Sequence, residues 1–209
     1  MRSADRNELL ALHAESAEKI RIRLSEFRRV PPSRHFYELC FCLMTPQSSA
    51  SHCALVAAEL ERRRFQRSPF DPEQLLRAFE GGYVRFHRTK ARRLLAARES
   101  FPDVADLLTS DEHEKDIRET LVARINGLGY KEASHFLRNI GKTRVTIIDR
   151  HIIRNFIRLD LLDAWPASIS RARYLALEAL FEDTAAALGM PPDELDLLLW
   201  SRETGFILK

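Results

Sequence analysis

The sequence predicts an all-α protein of about ten helices. Apolar residues recur every three or four positions along almost the whole chain, and sustained two-residue alternation is confined to residues 144–148. Proline, glycine and serine clusters separate the helical stretches. The 209 residues are 45% hydrophobic and 30% charged, which suits one domain or two small lobes and excludes wholesale disorder. No internal repeat or low-complexity segment interrupts the pattern.

Leu9, Leu12, Ile20, Leu24 and Phe27 mark a long first helix, with Pro31 and Pro32 as its stop. A second helix covers 36–43 and closes at Thr45-Pro46. Ser48 and Ser49 offer an N-cap to a third, whose inner face is Cys53, Val56, Ala57 and Leu60. Asp71-Pro72 supplies a cap and first turn for a short helix ending at Gly81-Gly82. Further helices are expected over 87–100, 111–125, 130–140, 150–160, 169–188 and 192–201.

Composition narrows the function classes. No uncharged apolar run approaches the ~20 residues of a membrane helix. Met1-Arg2-Ser3-Ala4-Asp5 leads into a charged amphipathic stretch, so a cytoplasmic protein is expected rather than a secreted one. Three cysteines, Cys40, Cys42 and Cys53, form no CxxC pair and read as reduced, buried thiols. His13, His35, His52, His87, His113, His135 and His151 are scattered and read as surface or capping residues. No metal site and no cofactor is expected. Formal net charge is only +3, yet residues 85–98 hold six Lys/Arg and no acid, and residues 138–158 hold six with Asp149 as their one acid. These two stretches could form a phosphate-binding face or two solvated helix faces.

The sharpest local signal is Asn126-Gly127-Leu128-Gly129-Tyr130-Lys131. It follows an amphipathic stretch (Ile117, Leu121, Ile125) and precedes another (Ala133, Phe136, Leu137, Ile140). Two glycines allow positive φ and close backbone approach, and Leu128 can tuck between the helices. The free N–H groups of the following helix form an anion site that suits a DNA phosphate. A plain helix–helix connection would use the same glycines.

Residues 125–141 resemble the helix–hairpin–helix of the DNA glycosylase superfamily, and more narrowly the small type 2 8-oxoguanine DNA glycosylase/AP lyases. Ile147-Ile148-Asp149-Arg150-His151, Met44-Thr45-Pro46-Gln47-Ser48-Ser49-Ala50 and the ending from Trp200 to Lys209 are similar to that group too, in the same order. The resemblance implies two helical lobes with an active-site cleft between them: residues 34–145 as one, and 1–33 with 146–209 as the other. It implies removal of 8-oxoguanine from double-stranded DNA, strand cutting at abasic sites, a monomer and no cofactor. The iron–sulfur cluster of some superfamily relatives needs four cysteines near the C-terminus, and none follows Cys53, so no cluster is expected.

By the same resemblance, Lys131 is the nucleophile that attacks C1′ and forms a Schiff base. Its place at a helix N-terminus, with burial, disfavours the ammonium form and suits that role. Asp149 is both a helix N-cap and the carboxylate that accompanies the lysine. Ile147-Ile148 stands where the wider superfamily has a Gly-Pro or Gly-Val pair. The resemblance implies that Lys209, at the end of an apolar tail expected to dock, helps distinguish 8-oxoguanine from guanine, whose N7 changes from acceptor to donor on oxidation. Trp200 and Phe86 are candidates to stack on the extruded base, although core packing is the commoner role for either. The resemblance further implies that Gln47 fills the gap that the base leaves and that Gly127 and Gly129 approach the DNA backbone. A non-catalytic DNA-binding module and a purely structural helical protein are the rival readings.

Overall fold

The computed structural model describes residues 1–207. Among the described residues are eleven helices and no strand. The chain divides into two compact units, Val30–Ile140 and Met1–Arg29 with everything from Gly141 onward.

The first unit holds α2 (Pro32–Met44), α3 (Ala50–Arg62), α4 (Glu73–Arg77), α5 (His87–Ser100), α6 (Pro102–Thr109), α7 (Glu114–Arg124) and α8 (Tyr130–Asn139). Its centre is α2, which packs on α3, α5 and α8 and is buried almost all round from His35 to Met44. Such a helix can only be a core helix. Phe36 anchors an aromatic cluster, with the Phe101 ring at 5.3 Å and Phe65 at 6.1 Å. Pro32 does not end the preceding helix; it opens α2 at a position where its missing N–H costs nothing. Pro102 likewise starts α6, a helix the periodicity did not separate, because Phe101 serves both as the end of α5 and as the start of α6. α4 stops at Arg77, short of the glycines, and a Phe79–Gly82 bridge closes the turn that follows.

The second unit holds α1 (Ser3–Arg28), α9 (Arg150–Arg158), α10 (Arg171–Leu188) and α11 (Pro192–Thr204), with α11 packed on the other three. The chain enters this unit at Gly141, a few residues before the position the sequence suggested. Gly141 has φ +85°, and a Cβ there would lie 2.7 Å from the Arg28 Cα, so only glycine allows this approach to α1. Glu194 ties α11 to α1 through His13 Nε2 at 2.6 Å and Arg21 Nε at 3.0 Å. Burial pushes its carboxyl up, but these two partners leave it below its usual range.

Residues 144–148 form no strand. The segment bends at 144–145 and is buried from Val145 to Ile148, and side chains rather than a neighbouring strand bond backbone groups of Thr146 and Ile148. Tyr174 OH donates to Thr146 O at 2.6 Å and accepts the Ile148 N–H at 3.2 Å. Glu178 Oε1, one helical turn on, accepts the Thr146 N–H at 3.0 Å. Among the described residues, Cys40, Cys42 and Cys53 form no disulfide, and all three are fully buried.

Tyr174→Phe should strand a buried carbonyl and a buried N–H, costing about 2–4 kcal/mol. At ~2–4 °C per kcal/mol for a chain of this size, the melting temperature should fall by several degrees; an unchanged value would show that the hydroxyl carries no load. A depressed carboxyl stabilises above its unfolded value and loses that contribution as pH falls. Glu194→Gln should therefore cost about 2 kcal/mol at pH 7 and show a shallower loss below pH ~4.5 than the parent chain; equal acid-side slopes in denaturant titrations would refute this.

Candidate active site

The hairpin runs from the end of α7 into α8. Gly127 takes φ +85°, and a Cβ on it would sit 2.4 Å from Cδ and Nε of Arg93. Leu128 is buried, as its place between the helices suggested. Gly129 departs from expectation: its φ of −91° and ψ of 177° are ordinary extended values, and it serves as the N-cap of α8. The left-handed geometry belongs to Gly127 alone of the two. Arg118 on α7 underpins the turn. Its fully buried guanidinium lies 5.4 Å over the Tyr130 ring and donates to Ser134 Oγ at 3.1 Å. The Tyr130 hydroxyl donates to Glu119.

Lys131 follows, the second residue of α8. Its side chain is 29% exposed, so burial is incomplete, and Nζ lies 3.7 Å from Glu132 Oε1. A carboxylate in the first turn complements the helix dipole.

Asp149 stands in the other unit, at the end of the segment held by Tyr174 and Glu178. It caps α9: Oδ1 accepts the N–H of His151 at 2.8 Å and of Ile152 at 3.0 Å. Both bonds fall on Oδ1, so among the described residues Oδ2 remains available. His151 places its ring edge-on to Trp200, centroids 6.4 Å apart, and burial lowers its imidazole from the usual range. Trp200 is half-buried on α11. Asp149, His151 and Trp200 thus form one cluster.

Gln47 and Phe86 lie in the Lys131 unit and line one recess of about 270 Å³ with Pro46, Thr89, Lys90 and Arg93. Phe86 is 54% exposed, so it is not a core residue. Gln47 (φ 57°) and Phe86 (φ 59°) are both left-handed without being glycine, a conformation costing ~1–3 kcal/mol each. Strain of this kind gathers at functional sites. At the other end of the chain, Phe206 is 65% exposed, so this part of the tail is not docked as the apolar ending suggested. Lys209 lies outside the described residues.

The sequence pattern of the 8-oxoguanine DNA glycosylases matches residues 20–190. The chain belongs to that family. It is 40% identical over 193 residues to the 8-oxoguanine DNA glycosylase/AP lyase of Korarchaeum cryptofilum, covering 92% of this chain and 91% of the relative. The crystal structure of the Methanocaldococcus jannaschii 8-oxoguanine DNA glycosylase superposes with a TM-score of 0.86 at 35% identity, over 98% of this chain and 95% of that one. A structure of the M. jannaschii enzyme in complex with 15mer DNA containing 8-oxoguanine gives 0.81 at 33% identity, over 97% and 100%.

Three histidines, His35, His52 and His135, are buried rather than superficial; His113 does cap a helix, accepting the Lys115 N–H. The basic stretches are not uniform faces. Lys90 and Arg138 are buried, Arg88 pairs with Glu73 at 3.4 Å, and Arg98 donates to Gln66 O. Arg154 and Arg158 both bind Glu203, at 2.8 and 2.9 Å. Sequence reasoning missed Arg93, Arg118 and Lys90. The one available signal was Lys90 itself, which falls on the apolar stripe of α5 with Leu94 and Ala97. Among the described residues, no three His, Cys, Asp or Glu side chains are placed to hold a metal ion, and no helix is long and apolar enough to cross a membrane.

Gly127→Ala should combine backbone strain with a clash on Arg93, lowering stability by about 2 kcal/mol or more. Adding Arg93→Ala should recover part of the melting temperature by removing the clash but not the strain. Additive losses in the double variant would show that the two side chains do not compete for this space.

Proposed function

We propose that this chain is a bifunctional DNA glycosylase/AP lyase that removes 8-oxoguanine from double-stranded DNA and then cuts the strand. The supporting observation is the position of Lys131, two residues past the Gly129 cap of a helix–hairpin–helix, in a chain whose relatives, matched over nine-tenths of their length, bear that name. A lysine amine can carry both reactions. Nζ bonds to C1′ as the C1′–N9 bond breaks, and the base leaves with the electron pair and gains a proton. The ring oxygen then leaves C1′, giving an imine between Lys131 and the opened sugar. The imine acidifies C2′; loss of that proton expels the 3′ phosphate by β-elimination, and water releases the lysine.

Asp149 is assigned the accompanying carboxylate. Its Oδ1 is fixed by two backbone N–H groups, and Oδ2 can take the amine proton and face positive charge on the sugar. Phe86 and Trp200 are assigned to the extruded base, Gln47 to the gap it leaves, Gly127 and Gly129 to the DNA backbone, and Lys209 to recognition of the lesion. The substrates include duplexes with preformed abasic sites, the protein acts as a monomer, and its work on DNA places it inside the cell.

Borohydride should trap a covalent adduct between the wild type and an 8-oxoguanine duplex. Lys131→Gln should abolish trapping, base release and strand cutting while still binding DNA. Asn caps a helix as well as Asp does, so Asp149→Asn tests the charge alone and should slow base release by orders of magnitude with little change in affinity. Salt-sensitive DNA binding with neither adduct nor product would instead identify a non-catalytic binding module.

A further inference from the structure

Lys90 is 2% exposed, yet its amine is fully engaged. Nζ donates to Met44 O at 2.6 Å, to Pro46 O at 2.7 Å and to Ser48 Oγ at 3.0 Å. Three acceptors use all three protons of an ammonium; a neutral amine has two. Ser48 Oγ also accepts the Arg85 N–H at 3.0 Å. The contacts of this one cation therefore bracket Gln47 on both sides and reach the neighbour of Phe86. Gln47 and Phe86 are the two left-handed residues that line the recess beside it. A glutamine stays in that conformation only where its surroundings over-determine it.

We propose that Lys90 is a positioning residue, which holds the Gln47 turn against the Phe86 corner so that the Gln47 side chain enters the base stack vacated by an extruded nucleotide. This rests on the glycosylase activity proposed above. Lys90 touches no DNA and acts through Gln47. It should matter most where a paired, stacked base must leave the duplex, and least at an abasic site, where little stacking is lost.

Single-turnover excision from an 8-oxoguanine duplex is compared with borohydride trapping on a preformed abasic duplex. Lys90→Met and Gln47→Ala should each slow excision at least tenfold and change abasic trapping less than threefold. The double variant should be no more than twofold slower than Gln47→Ala alone. Equal losses on both substrates, or multiplying losses in the double variant, overturn the proposal. A second measurement needs no variant. Burial lowers the Lys90 amine to about 8, with Cys53, Arg93, Arg85 and Glu132 as the titratable groups around it. The wild-type ratio of excision to trapping should fall as pH rises through that value, because deprotonation takes the positive charge from the bonds to the Met44 and Pro46 carbonyls; a flat ratio overturns the proposal. A wild type that neither excises nor traps refutes the glycosylase activity itself and is distinguished by that total loss.

Discussion

A full positive charge with no access to solvent lies beneath the hairpin. Removing Arg118 from water is costly unless its surroundings replace hydration, and here the Tyr130 ring face and Ser134 hydroxyl contribute to that replacement. Both partners belong to the first turns of α8. The guanidinium thus fixes where α8 begins and which way its first residues point. Lys131 inherits its position from this packing, since Tyr130 is held by its ring from Arg118 and by its hydroxyl from Glu119. The same logic recurs at Asp149, where Tyr174 and Glu178 replace a neighbouring strand and deliver the carboxylate to the cap of α9.

Part of the cationic charge is paired within the fold. Lys90 joins the end of α2 to the Gln47 turn, Arg154 and Arg158 share Glu203 between α9 and α11, and Arg88 answers Glu73. A run of cations in sequence therefore overstates the number able to neutralise phosphates. The Arg85 guanidinium lies instead over the exposed Phe86 ring, 5.5 Å from its centroid.

Helix positions were largely legible, because amphipathic periodicity and serine or aspartate caps are local signals. Ser49 and Asp149 bond the N–H groups that their positions foretold. The failures have a common cause. Pro32 and Pro102 open helices, and a proline looks the same whether it ends one element or begins the next. The 144–148 segment alternates like a strand, but its partners are side chains twenty-six to thirty-two residues away. For the site, the hairpin glycines and Lys131 stand in one recognisable block. The left-handed backbone of Gln47 and Phe86 left no trace in composition, since neither residue type favours it. Lys90 was visible only as a cation on an apolar stripe, which by itself does not reveal three acceptors drawn from a distant turn.

The burial of sulfur has a consequence for a protein of this family. Conditions that oxidise guanine also oxidise thiols and thioethers, and attack on a cysteine requires an accessible thiolate. All three cysteines are sealed in the core, where burial drives the Cys40 thiol far up and that of Cys53 to about 11. Met44 and Met190 are buried too. Apart from Met1, the described residues present almost no sulfur to the oxidants that generate the lesion for which its relatives are named.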